Sequence, residues 1–445
     1  MLGSLRTSYD AVIIGGGPAG STVGYILAKA GLSVLLLEKD KFPRFHIGES
    51  LLPATNHVWE RIGVRKKLDE VFVHKPGGRW YTNELQRLES NFAKAERQAS
   101  FMPQYPYAYM VERAKFDAIL LDNAAKAGVE VREKTRVDNL VFEGKRLTGL
   151  KLSNSSIRSD EVRAKMFFDC SGNAALIANK LGIRHPNHQK RMAVYAHYEA
   201  EALEEGLKDG WFVGAMIDDG WVWTIPLSNS NISVGVVTSL KNFKDAKHAP
   251  ERYLESLIDE LPFFKLAIKG NRKRISPISI HGNLGYSSDR FAGDGWVLVG
   301  DAAFFIDPCY STGVHLAMTS GQDAADIFLK HYGSGMVGPE HFADYERLLR
   351  RHESVVHRLV DTFYMATNNA TIRRWMPAVQ NRQPFYSQFA TATGGDLSRN
   401  HFVIEGSYRI AKSIGNLFRD PTSSPRYNER IFAEGGVPAF FCEEQ

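Results

Sequence analysis

Residues 10–20 decide the fold, and they read D-A-V-I-I-G-G-G-P-A-G. The apolar run over residues 10–14 suits a buried parallel strand, and the turn that follows at once satisfies the pattern G-x-G-x-x-G. Residues 21–30 then have helical spacing, and residues 32–37 form a second apolar stretch that ends at Glu38. This order of strand, glycines, helix, strand and acid predicts a Rossmann-type dinucleotide-binding unit.

Each part of this unit has a physical task in holding a dinucleotide. The glycines permit a tight turn and a close approach of the backbone to a pyrophosphate, which the helix N-terminus faces. Glu38 stands about 20 residues beyond the glycines, where a carboxylate can accept hydrogen bonds from ribose hydroxyls. The residues expected to contact the cofactor here are Gly15, Gly16, Gly17, Ala19, Gly20 and Glu38.

Later motifs favour FAD over NAD as the resident cofactor. Residues 296–303, W-V-L-V-G-D-A-A, form another apolar strand that ends in Gly-Asp. This stretch resembles the late Gly-Asp motif of FAD-dependent aromatic hydroxylases and their relatives, whose aspartate binds the ribityl chain. Residues 168–172, F-D-C-S-G, resemble their Asp-x-Ser-Gly stretch, and Arg113 takes the place of their FAD-contacting arginine. The resemblance therefore implies that Asp301 and Arg113 contact FAD.

The composition is that of a folded enzyme. A chain of 445 residues that is 44% hydrophobic and 24% charged can bury a large core, in two or three lobes. No apolar run approaches the ~20 residues needed to cross a bilayer, and residues 1–6 lack the apolar core of a signal peptide. The cysteines, Cys170, Cys309 and Cys442, show neither metal nor disulfide spacing, so we expect no metal and a cytoplasmic location. The net charge of +5 permits an acidic partner but does not indicate nucleic acid.

The predicted architecture is α/β, with interleaved lobes. A Rossmann-type FAD-binding lobe takes residues 1–80, 108–182 and 288–332. A mixed β-sheet on the substrate side takes residues 81–107 and 183–287, including strands over residues 191–198, 220–227 and 232–238. Residues 333–445 are expected to form a C-terminal helical lobe, with helical spacing over residues 340–365 and an irregular tail.

The most distinctive motif is at residues 221–226, W-V-W-T-I-P. Alternate residues of a strand share one face, so Trp221 and Trp223 point the same way. Taken alone, they indicate a strand stiffened by buried aromatic residues. The pattern W-x-W-x-I-P, however, resembles the signature of the flavin-dependent halogenases. That resemblance implies that Trp221, Trp223 and Pro226 form a wall that keeps the substrate away from the flavin and suppresses hydroxylation.

A lysine of this family corresponds to Lys75, in residues 72–80, F-V-H-K-P-G-G-R-W. Taken alone, Lys75 is a solvated loop lysine. The resemblance implies that it is catalytic, since an ammonium can donate a hydrogen bond to hypohalous acid and a neutral amine can form a haloamine. Burial readily lowers the pKa of a lysine, so the environment of Lys75 determines whether the ammonium or the neutral amine is favoured.

A second signature of the family is F-x-x-P-x-x-S-x-G, which residues 305–313, F-I-D-P-C-Y-S-T-G, match at every fixed position. We expect a turn that leads into a helix, whose first N–H groups bind anions well. The resemblance implies a halide site at Thr312 and Gly313. It also places Phe305, Pro308 and Ser311 along the substrate and tunnel wall, and Val314 against FAD. The alternative is a helix that contacts flavin and holds no halide.

One departure narrows the substrate class. Tryptophan halogenases carry a glutamate immediately before Ser-Thr-Gly, where this chain has Tyr310. A carboxylate stabilises the cation formed when an indole is halogenated, whereas a phenol or pyrrole sheds its own proton. The sequence therefore resembles the phenol- and pyrrole-type halogenases more closely. The block at residues 42–53, F-P-R-F-H-I-G-E-S-L-L-P, is typical of that group and implies that Arg44 and Glu49 lie against FAD.

The resemblance implies a complete reaction. A separate flavin reductase supplies FADH2, which reacts with O2 to give a C4a-hydroperoxide, and chloride or bromide attacks it to form hypohalous acid. This acid travels through a tunnel to Lys75, which presents it to the arene. The arene is free or tethered to an acyl or peptidyl carrier protein, and the sequence leaves both open.

Three alternatives stay open at the level of sequence. An FAD-dependent aromatic hydroxylase would insert oxygen directly and consume NADPH itself. A reductase resembling the geranylgeranyl reductases would reduce an alkene and has no evident use for Lys75. A non-catalytic flavin-binding protein has no evident use for the intact Ser-Thr-Gly stretch. Histidines near the motifs receive no role, because a lone histidine is more often packed than catalytic; they are His46, His74, His197 and His315.

Overall fold

The computed structural model describes residues 8–82, 85–154, 157–369, 372, 382–397 and 402–417. The strands are β1 (Ser8–Ile14), β2 (Val34–Leu37), β3 (Val73–Lys75), β4 (Gly77–Tyr81), β5 (Arg87–Asn91), β6 (Ala108–Met110), β7 (Glu130–Arg132), β8 (Thr135–Glu143), β9 (Arg146–Asn154), β10 (Ile157–Asp169), β11 (Arg184–Leu203), β12 (Phe212–Ile217), β13 (Gly220–Pro226), β14 (Asn231–Ser239), β15 (Ile268–Arg274), β16 (Ser279–Ser288), β17 (Ala292–Gly293), β18 (Trp296–Leu298) and β19 (Phe304–Phe305). The α-helices are α1 (Pro18–Lys29), α2 (Asn56–Arg61), α3 (Arg65–Val71), α4 (Arg113–Lys126), α5 (Leu176–Leu181), α6 (Glu205–Lys208), α7 (Leu240–Asp245), α8 (Pro250–Glu260), α9 (Pro262–Ala267), α10 (Thr312–His331), α11 (Ala343–Asn368), α12 (Phe385–Thr393) and α13 (Phe402–Leu417).

The first sheet has a parallel centre, as the apolar runs predict. Its strands lie in the order β17, β18, β10, β1, β2 and β7, and β8 and β9 extend it from β10. The pairs from β18 to β7 are parallel, while β17, β8 and β9 run antiparallel. Helices α1, α4 and α10 pack together on this sheet. The α1 and α10 backbones approach closely, since a Cβ added at Gly321 would lie 3.1 Å from the Ala19 carbonyl oxygen.

The second sheet carries the tryptophan motif. Its strands lie in the order β19, β16, β11, β14, β13, β12, β4 and β5, with β15 paired to β11. The predicted strands over residues 191–198, 220–227 and 232–238 are confirmed as parts of β11, β13 and β14. The division of the chain into lobes at residues 80, 107, 182, 287 and 332 stays a prediction.

The two faces of the second sheet contribute to two separate cores. Trp221, Trp223 and Ile225 of β13 belong to the large core that includes the first sheet. Val222, on the opposite face, belongs to a smaller core that α8 and α9 complete. The predicted shared orientation of the two indoles is therefore confirmed, because successive residues of a strand alternate between faces.

Two smaller features position the remaining site residues. Strands β3 and β6 form a two-stranded antiparallel ribbon in which Lys75 lies opposite Ala108. The helix predicted over residues 340–365 is confirmed as α11, and two further helices, α12 and α13, follow it. Residues 418–445 of the predicted irregular tail lie outside the described residues. Among the helices that are described, none combines the length and apolar composition that crossing a bilayer requires.

Candidate active site

The glycine-rich turn has no room for a side chain at Gly15 or Gly20. Gly15 has φ +102°, and a Cβ added to it would lie 2.4 Å from the Cys170 carbonyl oxygen. A Cβ added at Gly20 would lie 2.0 Å from the Gly15 carbonyl oxygen. The Gly16 amide donates a hydrogen bond of 2.8 Å to Oε2 of the buried Glu38, which directly follows β2. Gly17 caps α1, so the helix N-terminus opens onto this turn, as a pyrophosphate-binding site requires.

A buried ion pair anchors the arginines expected to contact the cofactor. Arg113, 5% exposed, donates to both carboxylate oxygens of Asp117 at 2.8 and 3.0 Å. Arg44 reaches the same carboxylate at 3.1 Å. Burial alone would raise the pKa of Asp117, but the charge and hydrogen bonds of Arg113 lower that pKa overall. Arg44 is thus held beside the glycine-rich turn, with its Nη2 3.7 Å from a Cβ added at Gly17, while Arg113 donates to the Ile47 carbonyl oxygen at 2.6 Å.

Two carboxylates can accept hydrogen bonds from a dinucleotide, the partly buried Asp301 and the buried Glu49. Burial raises the pKa of Asp301 to about 7, so an ionised Asp301 is favoured only when a donor reaches it. Glu49 is 1% exposed, and its Oε2 has no hydrogen-bond partner among the described residues. Its other oxygen, Oε1, lies 2.7 Å from Nε2 of His197. Burial alone would lower the pKa of His197, but the hydrogen bond with Glu49 and the negative charge of that carboxylate raise the pKa overall. The glycine turn and these acceptors together fit FAD.

Lys75 is buried rather than solvated. Its side chain is 3% exposed, Nζ donates to the Leu51 carbonyl oxygen at 2.8 Å, and Nζ lies 5.2 Å from the centre of the Phe92 ring. Burial lowers the pKa of Lys75 from 10.5 to about 7. Both the ammonium and the free amine are therefore populated near neutral pH.

The Lys75 side chain lines a cavity of about 30 Å³ together with part of the F-x-x-P-x-x-S-x-G motif. This cavity, the Lys75 cavity below, is lined by Lys75, Gly78, Trp80, Ser90, Phe92, Phe212, Cys309, Tyr310, Ser311, Phe389 and Thr393. Five of these eleven residues are aromatic, and none carries a carboxylate. Helix α12 closes one side, where the hydroxyls of Thr393 and Ser90 lie 2.6 Å apart.

The indole wall is built from rings that touch one another. The rings of Trp221 and Trp223 are 5.4 Å apart, and Trp80, which lines the Lys75 cavity, is 5.5 Å from Trp221. Gly235 lies opposite Trp223 in β14, and a Cβ there would come within 2.3 Å of the Trp223 ring. The structure does not bring Pro226 together with the indoles, because Pro226 alternates with them and pairs with Ile232 at the far end of β13.

The loop expected to hold halide has a strained backbone. Ser311 precedes α10 with φ +59°, a left-handed conformation that costs a non-glycine residue about 1–2 kcal/mol. Its N–H donates to the Pro308 carbonyl oxygen, and its Oγ lies 3.1 Å from Oγ of Ser50. The N–H groups of Thr312 and Gly313 fall in the first turn of α10, where backbone donors lack partners within the helix.

Other expected contacts also lie at this loop. A Cβ added at Gly313 would be 3.8 Å from Oδ1 of Asp301 and 3.9 Å from the Phe305 ring, so Gly313 lies between the two. Val314, in the first turn of α10, approaches Gly48 of the block at residues 42–53. The FAD contacts and the halide loop are thus adjacent.

The histidines occupy different settings. His74 is half exposed, pairs with Asp69 at 3.2 Å and stacks on Tyr107, outside the Lys75 cavity. His315 is buried beside the Thr55 hydroxyl, and burial lowers the pKa of His315 to about 3. His46 is exposed, with Nδ1 near the Ile47 carbonyl oxygen.

Sequence reasoning missed several residues that complete the site. Tyr364 of α11 hydrogen-bonds Asp307, which lies inside the F-x-x-P-x-x-S-x-G motif at a variable position. Phe389 and Thr393 come from α12, more than 300 residues from Lys75 in the chain. No local pattern marks these residues, because only the tertiary fold brings them to the cavity.

Comparisons with known proteins identify relatives over most of the chain. The tryptophan halogenase family model matches residues 10–75 and 67–390. A 1H-pyrrole-2-carbonyl-[peptidyl-carrier protein] chlorinase of Pseudomonas fluorescens is 31% identical, over 80% of this chain and 83% of that protein. A tryptophan 2-halogenase of Chondromyces crocatus is 35% identical over 72% of this chain, which covers only 61% of that longer enzyme. The solved structure of the myxobacterial chondrochloren halogenase CndH matches 90% of this chain and 98% of its own, with a TM-score of 0.75 and 31% identity.

Proposed function

The chain belongs to the flavin-dependent halogenases of the tryptophan halogenase family, and we propose that it halogenates an electron-rich phenol or pyrrole through Lys75. The family resemblance expected from the motifs and the predicted α/β fold are confirmed, and the enzyme uses FAD, O2 and halide. The observation that carries the proposal is the burial of Lys75 in one cavity with Tyr310 and Ser311 of the halide loop.

FAD in its reduced form, with O2, supplies the oxidising equivalent that converts halide to hypohalous acid. The residues proposed to hold it are those of the glycine-rich turn, with Glu38, Arg44, Glu49, Arg113, Asp301 and Val314. The first N–H groups of α10, at Thr312 and Gly313, bind chloride or bromide, because they lie at the positive end of the helix dipole. The strained backbone at Ser311 supports a functional role for this loop.

Lys75 receives the oxidised halogen. With a pKa of about 7, its side chain can donate a hydrogen bond to hypohalous acid as an ammonium or take up the halogen as an amine. Aromatic side chains and the closing helix α12 surround it, so bulk water does not compete for the reactive species. Trp221 and Trp223 separate the substrate from the flavin, which suppresses hydroxylation.

The lining of the Lys75 cavity supports a phenol or pyrrole as the arene. No carboxylate lines the cavity within the described residues, so nothing there stabilises a ring cation by charge. Tyr310 occupies the place where a tryptophan halogenase has a glutamate, and burial raises its pKa well above the ordinary value. A phenol or pyrrole instead loses its own O–H or N–H proton during substitution.

The proposed partners are a flavin reductase and, for a tethered arene, a carrier protein. The Pseudomonas fluorescens relative is named for a pyrrole-2-carbonyl group on a peptidyl carrier protein, which supports a carrier-bound substrate for this chain. The net charge of +5 suits the approach of an acidic partner. The cysteine spacing supports action in the cytoplasm, and the lobe boundaries predicted from the sequence remain part of the proposal.

The test is incubation of the FAD-loaded enzyme with a flavin reductase, NADH, O2 and bromide, on phenols, pyrroles and indole, each free or carrier-bound. We expect a brominated phenol or pyrrole, detected by mass and isotope pattern. The variant Lys75→Ala should bind FAD and release hydrogen peroxide without forming that product. Hydroxylated product that forms without halide would instead identify a hydroxylase, and preferential bromination of indole would contradict the substrate class.

A further inference from the structure

The Tyr364 hydroxyl joins the indole wall to the halide loop. Nε1 of Trp221 donates to this hydroxyl at 3.2 Å, and the hydroxyl donates to Oδ2 of Asp307 at 2.8 Å. The other oxygen of Asp307 accepts from the Cys309 amide at 2.9 Å. These three hydrogen bonds run from β13 through α11 to the turn that precedes Ser311.

The Tyr364 side chain is held firmly in this position. It is 5% exposed, and the guanidinium carbon of Arg191 lies 3.6 Å from the centre of its ring. Arg191 is itself anchored, since it donates to the Asp219 carbonyl oxygen at 2.9 Å. Burial raises the pKa of Tyr364 well above its ordinary value, so the phenol keeps its proton near neutral pH. Burial also raises the pKa of the Asp307 carboxyl, which the Tyr364 hydroxyl and the positive charge of Arg191 oppose.

Both ends of the hydrogen-bonded chain reach groups that act in the reaction. Cys309 lines the Lys75 cavity and directly precedes Tyr310 and Ser311, after which α10 and its first N–H groups begin. Trp221 contacts Trp80, which lines the same cavity. A shift at Asp307 would therefore move the halide loop, and a shift at Trp221 would move the wall.

We propose that Tyr364 is a positioning residue that sets the halide loop and the indole wall together, so that halide affinity and suppression of side reactions depend on its hydroxyl. This inference rests on the proposed function. Tyr364→Phe keeps the ring and its contact with Arg191 but leaves Oδ2 of Asp307 without its donor and Nε1 of Trp221 without its acceptor. Leaving a buried acceptor without its donor changes an equilibrium constant by about tenfold.

The matched control is Tyr198→Phe. Tyr198 is also buried in the second sheet, and its hydroxyl donates to Oε1 of Glu255 at 2.9 Å, but it belongs to the core on the opposite face. The control thus removes one tyrosine–carboxylate hydrogen bond, here to a partly exposed glutamate, away from the wall and the loop.

The experiment measures the dissociation constant of bromide by calorimetry on the FAD-loaded, oxidised enzyme, together with the ratio of halogenated product to hydrogen peroxide in turnover. We expect Tyr364→Phe to weaken bromide binding about tenfold and to lower the product ratio, while Tyr198→Phe changes neither beyond about twofold. If Tyr364→Phe does not fold, Arg191→Lys, which removes the planar group over the Tyr364 ring, should weaken bromide binding in the same direction.

Three outcomes would overturn the inference: bromide binding in Tyr364→Phe within twofold of wild type, an equal loss in Tyr198→Phe, or an unfolded Tyr364→Phe with unchanged bromide binding in Arg191→Lys. Failure of the proposed function looks different, because the wild-type enzyme itself would then neither bind bromide nor form halogenated product.

Discussion

Replacing Lys75 by methionine should make the protein more stable at neutral pH while abolishing halogenation. Methionine has a similar length, fills the same buried space and carries no charge. The gain arises because burial lowers the pKa of Lys75 from 10.5 to about 7, which means that the folded state disfavours the ammonium form.

The magnitude follows from linkage between proton binding and folding. Since one unit of pKa difference corresponds to about 1.4 kcal/mol, the shift costs wild type roughly 5 kcal/mol of stability below pH 7. Methionine also loses the hydrogen bond from Nζ to the Leu51 carbonyl oxygen, which subtracts about 1–3 kcal/mol. At pH 7 half of the folded protein has already released the Lys75 proton, so the cost there is about 4 kcal/mol and we expect Lys75→Met to gain roughly 1–3 kcal/mol.

The sign of the pH dependence is fixed by the depressed pKa of a base. Between pH 7 and 10.5 the unfolded chain binds the proton that the folded chain has released, so wild type gains stability as the pH rises. The advantage of Lys75→Met should accordingly shrink by roughly 3–4 kcal/mol between pH 7 and pH 10.

The assay is urea unfolding of the FAD-loaded enzyme at pH 7, 8.5 and 10, with Lys269→Met, an exposed lysine of β15, as the control for removing one positive charge. Halogenated product is measured on the same preparations. Parallel pH profiles for wild type and Lys75→Met would refute the idea that Lys75 is a desolvated amine.

Three other changes test separate parts of the site. Gly235→Ala places a Cβ within 2.3 Å of the Trp223 ring, so we expect a loss of about 1–3 kcal/mol in urea unfolding and a larger share of hydrogen peroxide in turnover; unchanged values would contradict the close fit of the wall. Asp301→Asn should stabilise the FAD-free protein at pH 8 but not near pH 4, because the raised pKa of the Asp301 carboxyl makes the fold lose stability as the pH rises from about 4 to about 7. The same variant should bind FAD more weakly by fluorescence titration, and equal affinity would remove Asp301 from the FAD contacts. Phe389→Ala opens one side of the Lys75 cavity, so turnover of bulkier phenols should rise relative to the small ones, and an unchanged substrate profile would show that α12 does not limit access.

Structure can be predicted most directly from this sequence where the backbone geometry permits only one arrangement. At Gly20 a side chain would collide with the Gly15 carbonyl, so the G-x-G-x-x-G turn can be identified without any knowledge of distant residues. The common orientation of Trp221 and Trp223 follows in the same way from the alternation of a strand.

The burial of Lys75 could not be derived from its neighbours in the chain. A lysine followed by Pro-Gly-Gly is typical of an exposed loop, and its low exposure arises from Phe92, from Tyr310 and from α12 near the other end of the chain. The family motif, rather than composition or periodicity, identified it. Neither a family motif nor periodicity identified Tyr364, because a tyrosine on the buried face of α11 follows the same helical spacing as any core residue.

The alternation of β13 has a consequence for how such an enzyme can change over evolutionary time. Its odd-numbered side chains belong to the core beside the candidate active site, whereas Val222 packs in the core that includes α8 and α9. Neighbouring residues of this strand are therefore under different structural constraints. Substitutions at Val222 can change the packing against α8 and α9 without contacting the arene. Inserting or deleting one residue ahead of Trp221 would instead turn both indoles to the opposite face of the sheet. Replacement of Val222 by another apolar residue therefore leaves the indole wall in place, whereas a change in the length of the strand does not.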